Sequence, residues 1–208
     1  MTEEEARATI TQNVSRETLA RLDAYAGALI KWQKAINLIA PATVPQIWAR
    51  HFLDSAQVLP LAPAGARTWL DIGTGGGFPG MVCAIIAAEQ LPEIKWTMIE
   101  SDERKCAFLR EVSRTTGVTV TVLTARVEDL PDQNANVISA RALAPLPRLL
   151  DLTHRHLAPQ ATCLFQKGGN YATEVAEAKQ HWHMSVEAMP SRTAPESVIL
   201  RIRELSHV

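Results

Sequence analysis

Five of the ten glycines in this 208-residue chain fall between Gly73 and Gly80. They follow an apolar run, Thr68–Ile72, that reads as a short strand. They precede residues 79–88, which read as a helix with proline in its first turn. A glycine cluster between strand and helix supplies positive φ and lets a ligand come close to the backbone. It also commits the chain to a fold in which strands alternate with helices. The downstream sequence keeps that alternation. Strands are predicted at 95–100, 118–124, 136–140 and 161–167, with helices at 102–113, 146–156 and 171–179. Two last strands, 182–188 and 197–203, flank a proline-bearing turn and read as an antiparallel pair. Such an order predicts an α/β fold, a mostly parallel seven-stranded sheet covered on both faces.

The first sixty residues read differently. Leu19, Leu22, Ala26, Leu29, Ala35 and Ile36 follow helical spacing, with Ser15 as a candidate N-cap. A further short helix is expected over residues 44–59, and 62–66 is a break. The chain is therefore expected to carry an N-terminal helical extension (1–62) on a core (63–208). Hydrophobic residues make up 47% and charged residues 21%, enough for a sizeable core. The net charge of −1 gives no global field toward nucleic acid or membrane, so an RNA substrate requires Arg and Lys clustered on one face. Cys83, Cys106 and Cys163 sit in apolar runs without Cys-x-x-Cys spacing, which points to free thiols in a reducing cytoplasm. The acidic start does not read as a signal peptide, and no apolar run approaches the ~20 residues of a membrane span. His154/His156 and His181/His183 have i,i+2 spacing but no evident third ligand, so they are taken as surface residues and no metal is expected.

The loop contains Gly75-x-Gly77-x-x-Gly80, a weak dinucleotide signal in isolation. Two acids redirect it. Asp71 stands two residues before Gly73, and acid-x-Gly-x-Gly-x-Gly resembles the cofactor loop of methyltransferases. Glu100 closes the second strand, twenty-three residues after Gly77, where a carboxylate can accept from both ribose hydroxyls. S-adenosylmethionine is the predicted cofactor. A nicotinamide dinucleotide remains the rival, although no second domain is evident for a hydride acceptor. A glycine-rich turn without a ligand is the third reading.

The acceptor is less legible. After the fourth strand the chain reads Ser139-Ala140-Arg141-Ala142-Leu143-Ala144 rather than the Asn/Asp-Pro-Pro-aromatic motif of many amino-group methyltransferases. Carbon-5 methylation of a pyrimidine needs a thiol nucleophile, and Cys163 lies within an apolar strand. A ring nitrogen such as guanine N7 carries a lone pair and no proton, so positioning can supply most of the rate. No catalytic residue is assigned.

These residues resemble a known family, the bacterial 16S rRNA guanine-N7 methyltransferases, over nearly the whole chain. The resemblance runs through Trp32, Asn37-Leu38, Arg50-His51-x-x-Asp54-Ser55, residues 71–80 with their Phe-Pro-Gly ending, and Glu100-Ser101-Asp102-x-Arg104-Lys105. It continues through Phe108-Leu109-Arg110, Ala125-Arg126-Val127-Glu128, Ser139-Ala140-Arg141-Ala142 and Lys167-Gly168. Ile39 stands where the family usually has Thr. The resemblance implies a Rossmann-like class I methyltransferase fold that methylates one guanosine, position 527 of 16S rRNA, near the decoding site. It implies cofactor contacts at Gly73, Gly75, Phe78, Glu100, Val127, Glu128 and Arg141. Arg141 can equally serve the acceptor side or form a structural ion pair. Arg50, His51, Arg126 and Lys167 are candidates to face the RNA, His51 alternatively pairing with Asp54 at i,i+3. The implied partner is 16S rRNA or the assembling small subunit, bound by a monomer. Two rivals stand: a methyltransferase with a small-molecule acceptor, and a module that binds S-adenosylmethionine and docks on the ribosome without turnover.

Overall fold

The computed structural model describes all 208 residues. Helix α1 (Glu3–Thr11) begins with a capping box. Thr2 Oγ1 accepts from the Glu5 amide, and the Glu5 carboxylate accepts from the Thr2 amide. Helix α2 (Arg16–Gln33) is capped by Ser15, as its sequence predicts, with Oγ accepting from the Thr18 amide at 3.0 Å.

The single helix expected over 44–59 does not form. In its place come a 3₁₀ turn (Pro41–Gln46), a π-helical turn (Trp48–Leu53), a short helix α3 (Asp54–Ala56) and a second 3₁₀ turn (Leu59–Leu61). Pro45 and Pro60 each lack the amide a continuous α-helix needs. Glu3 of α1 then caps the π turn, its carboxylate accepting from the Trp48 and Ala49 amides at 3.0 and 2.8 Å. Wide turns of this kind recur at functional sites. This one carries Arg50 and His51, with Asp54 directly after it.

Strands β1 (Thr68–Ile72), β2 (Lys95–Glu100), β3 (Thr121–Thr124), β4 (Ala135–Arg141), β5 (Leu157–Lys167), β6 (Trp182–Pro190) and β7 (Val198–His207) form one sheet in the order β3-β2-β1-β4-β5-β7-β6. The first five are parallel, and β7 runs antiparallel to β5 and β6. The predicted strand count and terminal reversal are both present, with β3 starting three residues later than expected. Helices α4 (Gly80–Gln90), α5 (Glu103–Thr116), α6 (Leu146–Thr153) and α7 (Tyr171–Ala178) connect them.

Two apolar cores flank the sheet. Leu22, Tyr25 and Leu29 of α2 share one with Val82 and Ile85 of α4 and with Phe108 and Leu109 of α5. Helix α4 is therefore covered on all sides, which explains why its sequence is apolar all round. Leu146, Leu149 and Leu150 of α6 fill the opposite face together with Phe165 and Trp182. All three cysteines are free and buried, Cys163 at 1% exposure, so it is a core residue rather than a nucleophile.

Tyr25 joins the N-terminal layer to the glycine loop. It is fully buried among Phe52, Phe78 and Phe108, and its hydroxyl donates to the Gly76 carbonyl. Gly77, at φ +93°, leaves room for that hydroxyl, which a Cβ there would meet at 2.6 Å.

Candidate active site

The carboxyl ends of β1, β2, β3 and β4 open onto two neighbouring clefts at the point where strand order reverses, the usual ligand position in an open α/β sheet. Asp71, the acid read as part of the cofactor loop, lies beneath it and is fully buried. Its Oδ2 accepts from the Gly80 amide at 3.2 Å and its Oδ1 from the Ser139 hydroxyl, which in turn accepts from Trp69 Nε1 at 2.8 Å. A Cβ on Gly80 would stand 2.7 Å from the Asp71 carboxyl carbon, so only glycine lets the helix start this close. Burial outweighs these bonds and raises the Asp71 pKa to about 6. Asp71 shapes the loop and does not line either cleft.

The first cleft has a volume of about 510 Å³ and is lined by Gly73, Gly75, Glu100, Arg126, Val127 and Glu128 among others. Glu100 is held by three backbone amides. Oε2 accepts from Gly75 at 2.9 Å, and Oε1 accepts from Ser101 at 2.8 Å and Asp102 at 2.9 Å. A carboxylate has about four acceptor sites, so capacity remains for a ligand hydroxyl. Val127 and Glu128 lie on a short 3₁₀ turn (Val127–Asp129). His156 fixes that turn from below. It is fully buried, contrary to its expected place on the surface, and its Nε2 lies 3.2 Å from the Val127 carbonyl. The carbonyl can only accept, so Nε2 carries the proton. Arg148, which the sequence did not single out, pairs with Glu128 at 2.9 Å. Gly73, at φ +59°, leaves a space that Leu143 fills. A Cβ there would meet Leu143 Cδ1 at 2.5 Å.

The second cleft, about 430 Å³, is lined by Arg50, His51, Asp54, Arg141, Gln166 and Lys167 among others. Ala142 lines both clefts and forms their common wall. It sits at φ +52°, a conformation that costs a non-glycine residue of order 1–3 kcal/mol. The turn is held by Lys167, whose Nζ donates to the Ala144 carbonyl at 2.9 Å and pairs with Glu174. Glu174 also accepts from the Leu146 amide at 2.7 Å. Lys167 is thus a brace for the wall, not a free cation.

Arg141 occupies the centre of the second cleft. One Nη donates to the Arg50 carbonyl at 3.1 Å and reaches Asp54 at 3.4 Å. The other donates to His51 Nδ1 at 2.9 Å. Its guanidinium lies 4.8 Å from the Phe78 ring centre. Arginine has no acceptor, so His51 Nδ1 must be unprotonated and Nε2 donates to Thr43 Oγ1 at 2.8 Å. His51 pairs with Arg141 and Thr43, not with Asp54.

Burial first, then Arg141 and Arg50, lower the His51 pKa from 6.5 to about 3. The unfolded chain takes up this proton near pH 6.5 and the folded chain only near 3. This site therefore removes stability as pH falls through 6.5. His51→Gln is expected to flatten the acid limb of the stability profile by about 1 kcal/mol per pH unit in that window. Urea melts at pH 4.5, 5.5 and 6.5 would show it, and parallel profiles for the two proteins would contradict it.

The structure thus divides the residues drawn from the sequence. Gly73, Gly75, Glu100, Val127 and Glu128 come together in the first cleft, joined by Arg126, which had been placed on the RNA side. Arg141 joins Arg50, His51 and Lys167 in the second. Phe78 lines neither. Its ring is 3% exposed and packs on Tyr25 and His51 beneath the second cleft, because the loop turns its apolar side chain into the N-terminal core. No three His, Cys, Asp or Glu side chains come together as a metal site, and no helix is long and apolar enough to cross a membrane.

Comparison with known proteins identifies the fold and the family. Solved structures give the fold. An O-methyltransferase from Bacillus cereus in complex with SAH superposes with a TM-score of 0.59 at 13% identity, covering 87% of this chain and 91% of that one. A SAM-dependent methyltransferase from Aquifex aeolicus does so with a TM-score of 0.58 at 17% identity, over 76% and 92%. The sheet order is therefore that of the Rossmann-like methyltransferases. Sequence relatives are far nearer. A ribosomal RNA small subunit methyltransferase G of Cereibacter sphaeroides is 52% identical over 208 residues, all of both chains. Its counterpart in Paramagnetospirillum magneticum is 48% identical over 193 residues, 93% of this chain and 92% of that one. The sequence profile of one family, described as rRNA small subunit methyltransferase G, matches residues 18–199, and with those features the chain belongs to that family.

Proposed function

We propose that this methyltransferase carries the methyl group of S-adenosylmethionine to N7 of one guanosine of 16S rRNA, position 527 in the loop near the decoding site. The observation that carries the reading is the state of the second cleft's ionisable groups. Asp54 is fully bonded, His51 is neutral with both nitrogens engaged, and Glu174 is tied to Lys167. None is free to take a proton. An acceptor that reacts through a lone pair and loses no proton suits such a cleft, and guanine N7 is one.

The first cleft fits the cofactor. Glu100 would hold the ribose, Val127 and Glu128 the adenine, and the Gly73 and Gly75 backbone would lie against the methionine side. When bound, S-adenosylmethionine supplies a sulfonium that makes the methyl group electrophilic. The chain's own part is to orient acceptor and donor across Ala142 and to exclude water there. The ion pairs of the two clefts are Arg141 with Asp54, Arg148 with Glu128 and Lys167 with Glu174. Arg50, Lys105 and Arg126 also line them and are left for phosphates. This local surplus supports an RNA substrate despite the net charge of −1. On this reading a monomer meets 16S rRNA in the cytoplasm, free or within an assembling subunit.

The test is methyl transfer from labelled S-adenosylmethionine to small subunits and to 16S rRNA from cells lacking the protein, followed by nucleoside mass spectrometry. N7-methylguanosine at that position is the expected product. Label on another atom, or on a small molecule only, would overturn the proposal. Arg50→Glu is expected to weaken RNA binding about tenfold at low salt and to lower the slope of log affinity against log salt by about 1. Cofactor affinity should stay unchanged, and an RNA affinity and slope like the wild type's would remove Arg50 from the RNA path.

A further inference from the structure

The second cleft contains one buried acceptor without a donor. Gln166, near the end of β5, is 8% exposed, and its Oε1 has no hydrogen-bond partner. The orientation of its amide is fixed. Nε2 donates to the Asp54 carbonyl at 2.9 Å and to Asp54 Oδ2 at 2.6 Å, both of which can only accept. The carbonyl end therefore faces away from Asp54. Asp54 is itself held from several sides, by Gln57 Nε2 at 2.9 Å, Thr193 Oγ1 at 2.7 Å and Arg141 at 3.4 Å. So many donors around one carboxylate give Gln166 a rigid mount. A native protein rarely leaves such an oxygen unpaired, because desolvating it without a bond is unfavourable.

We propose that the second cleft is the pocket for the target base and that Gln166 Oε1 reads the Watson–Crick edge of guanine, accepting from its 2-amino group with N1–H alongside. This rests on the function proposed above and extends it to base selection. The chemistry matches on three counts. Guanine presents two adjacent donors on that edge, and an amide oxygen has two lone pairs to meet them. Adenine presents a lone pair at N1 and would set acceptor against acceptor. With the Watson–Crick edge held by Gln166, the opposite edge, which carries N7, stays open toward the wall shared with the cofactor cleft. The cleft's carboxylates, Asp54 and Glu174, are bonded to other groups, whereas the Gln166 amide oxygen is buried without a partner.

The experiment uses small subunits assembled on 16S rRNA that carries guanosine or inosine at the target position. Inosine lacks only the 2-amino group. The wild-type protein is expected to methylate the inosine substrate with a kcat/KM roughly tenfold lower. Gln166→Met should lower kcat/KM for guanosine more than for inosine, so the ratio of the two on the variant falls to about 1. Affinity for S-adenosylmethionine, measured separately on the same variant, should not change. A Gln166→Met protein that binds the cofactor and keeps the wild-type guanosine-to-inosine ratio would overturn the proposal, as would a wild type indifferent to inosine. A loss of cofactor affinity equal to the loss of kcat/KM would show that Gln166 only supports the fold. Wild-type protein that methylates neither substrate would instead sink the acceptor assignment beneath it, and this proposal too.

Discussion

Replacing Glu100 by alanine is expected to weaken S-adenosylmethionine binding by a factor of about 100, because the charge-assisted hydrogen bond it would accept from the ribose is lost. Such a bond contributes about 1.5–3 kcal/mol, and 1.4 kcal/mol is tenfold in affinity. The carboxylate is also the partner of the Gly75 amide at 2.9 Å, so the variant releases the glycine loop as well. Glu100→Gln keeps the shape and one acceptor oxygen, and should lose about tenfold. Calorimetric titration with S-adenosylmethionine gives both numbers. A Glu100→Ala protein that binds within threefold of the wild type would remove Glu100 from the cofactor site.

The second large effect is expected at Arg141. Its side chain is 20% exposed and that of Asp54 16%, so the pair is mostly withdrawn from water. Arg141→Met leaves Asp54 without its cation and takes from His51 Nδ1 its donor. Breaking one side of a buried pair costs about 3 kcal/mol. For a chain of this size that lowers Tm by roughly 6–12 °C. Arg141→Lys should recover little, since an ammonium cannot span Asp54, His51 and the Arg50 carbonyl in one plane. Methyl transfer should fall further than stability does if the second cleft takes the acceptor as proposed, because the same guanidinium shapes it. Thermal melts followed by initial rates below Tm separate the two effects. A Tm within 2 °C of the wild type would show that Asp54 finds other donors.

The parts of this site that the sequence made legible are those set by neighbours along the chain. The strand before Gly73, the capped helix after Asp102 and the acid at the end of β2 are local patterns, and each appears where its pattern puts it. The single helix expected over 44–59 does not form because Pro45 and Pro60 interrupt it and Glu3, some forty-five residues away, bonds the Trp48 and Ala49 amides. Phe78 faces away from both clefts for a similar reason. Which way a side chain leaves a loop depends on the layer packed against it, here the aromatic cluster around Tyr25. Lys167 looked like a cation for RNA until Glu174 and the Ala144 carbonyl appeared beside it. For Gln166 no local signal exists at all. Its isolation is visible only once Asp54 is seen to take its amide nitrogen.

The Tyr25 hydroxyl bonded to the Gly76 carbonyl bears on how this chain can be recombined with its relatives. The N-terminal helices and the glycine loop form a lock with complementary parts, Tyr25 on one side and the bare backbone of Gly76-Gly77 on the other. Chimeras that exchange the first sixty residues with a relative should keep a working loop only when both halves of that lock come from matched parents. The boundary between the two layers is therefore a poor crossover point, and the unit that can be swapped is the N-terminal layer together with residues 73–80.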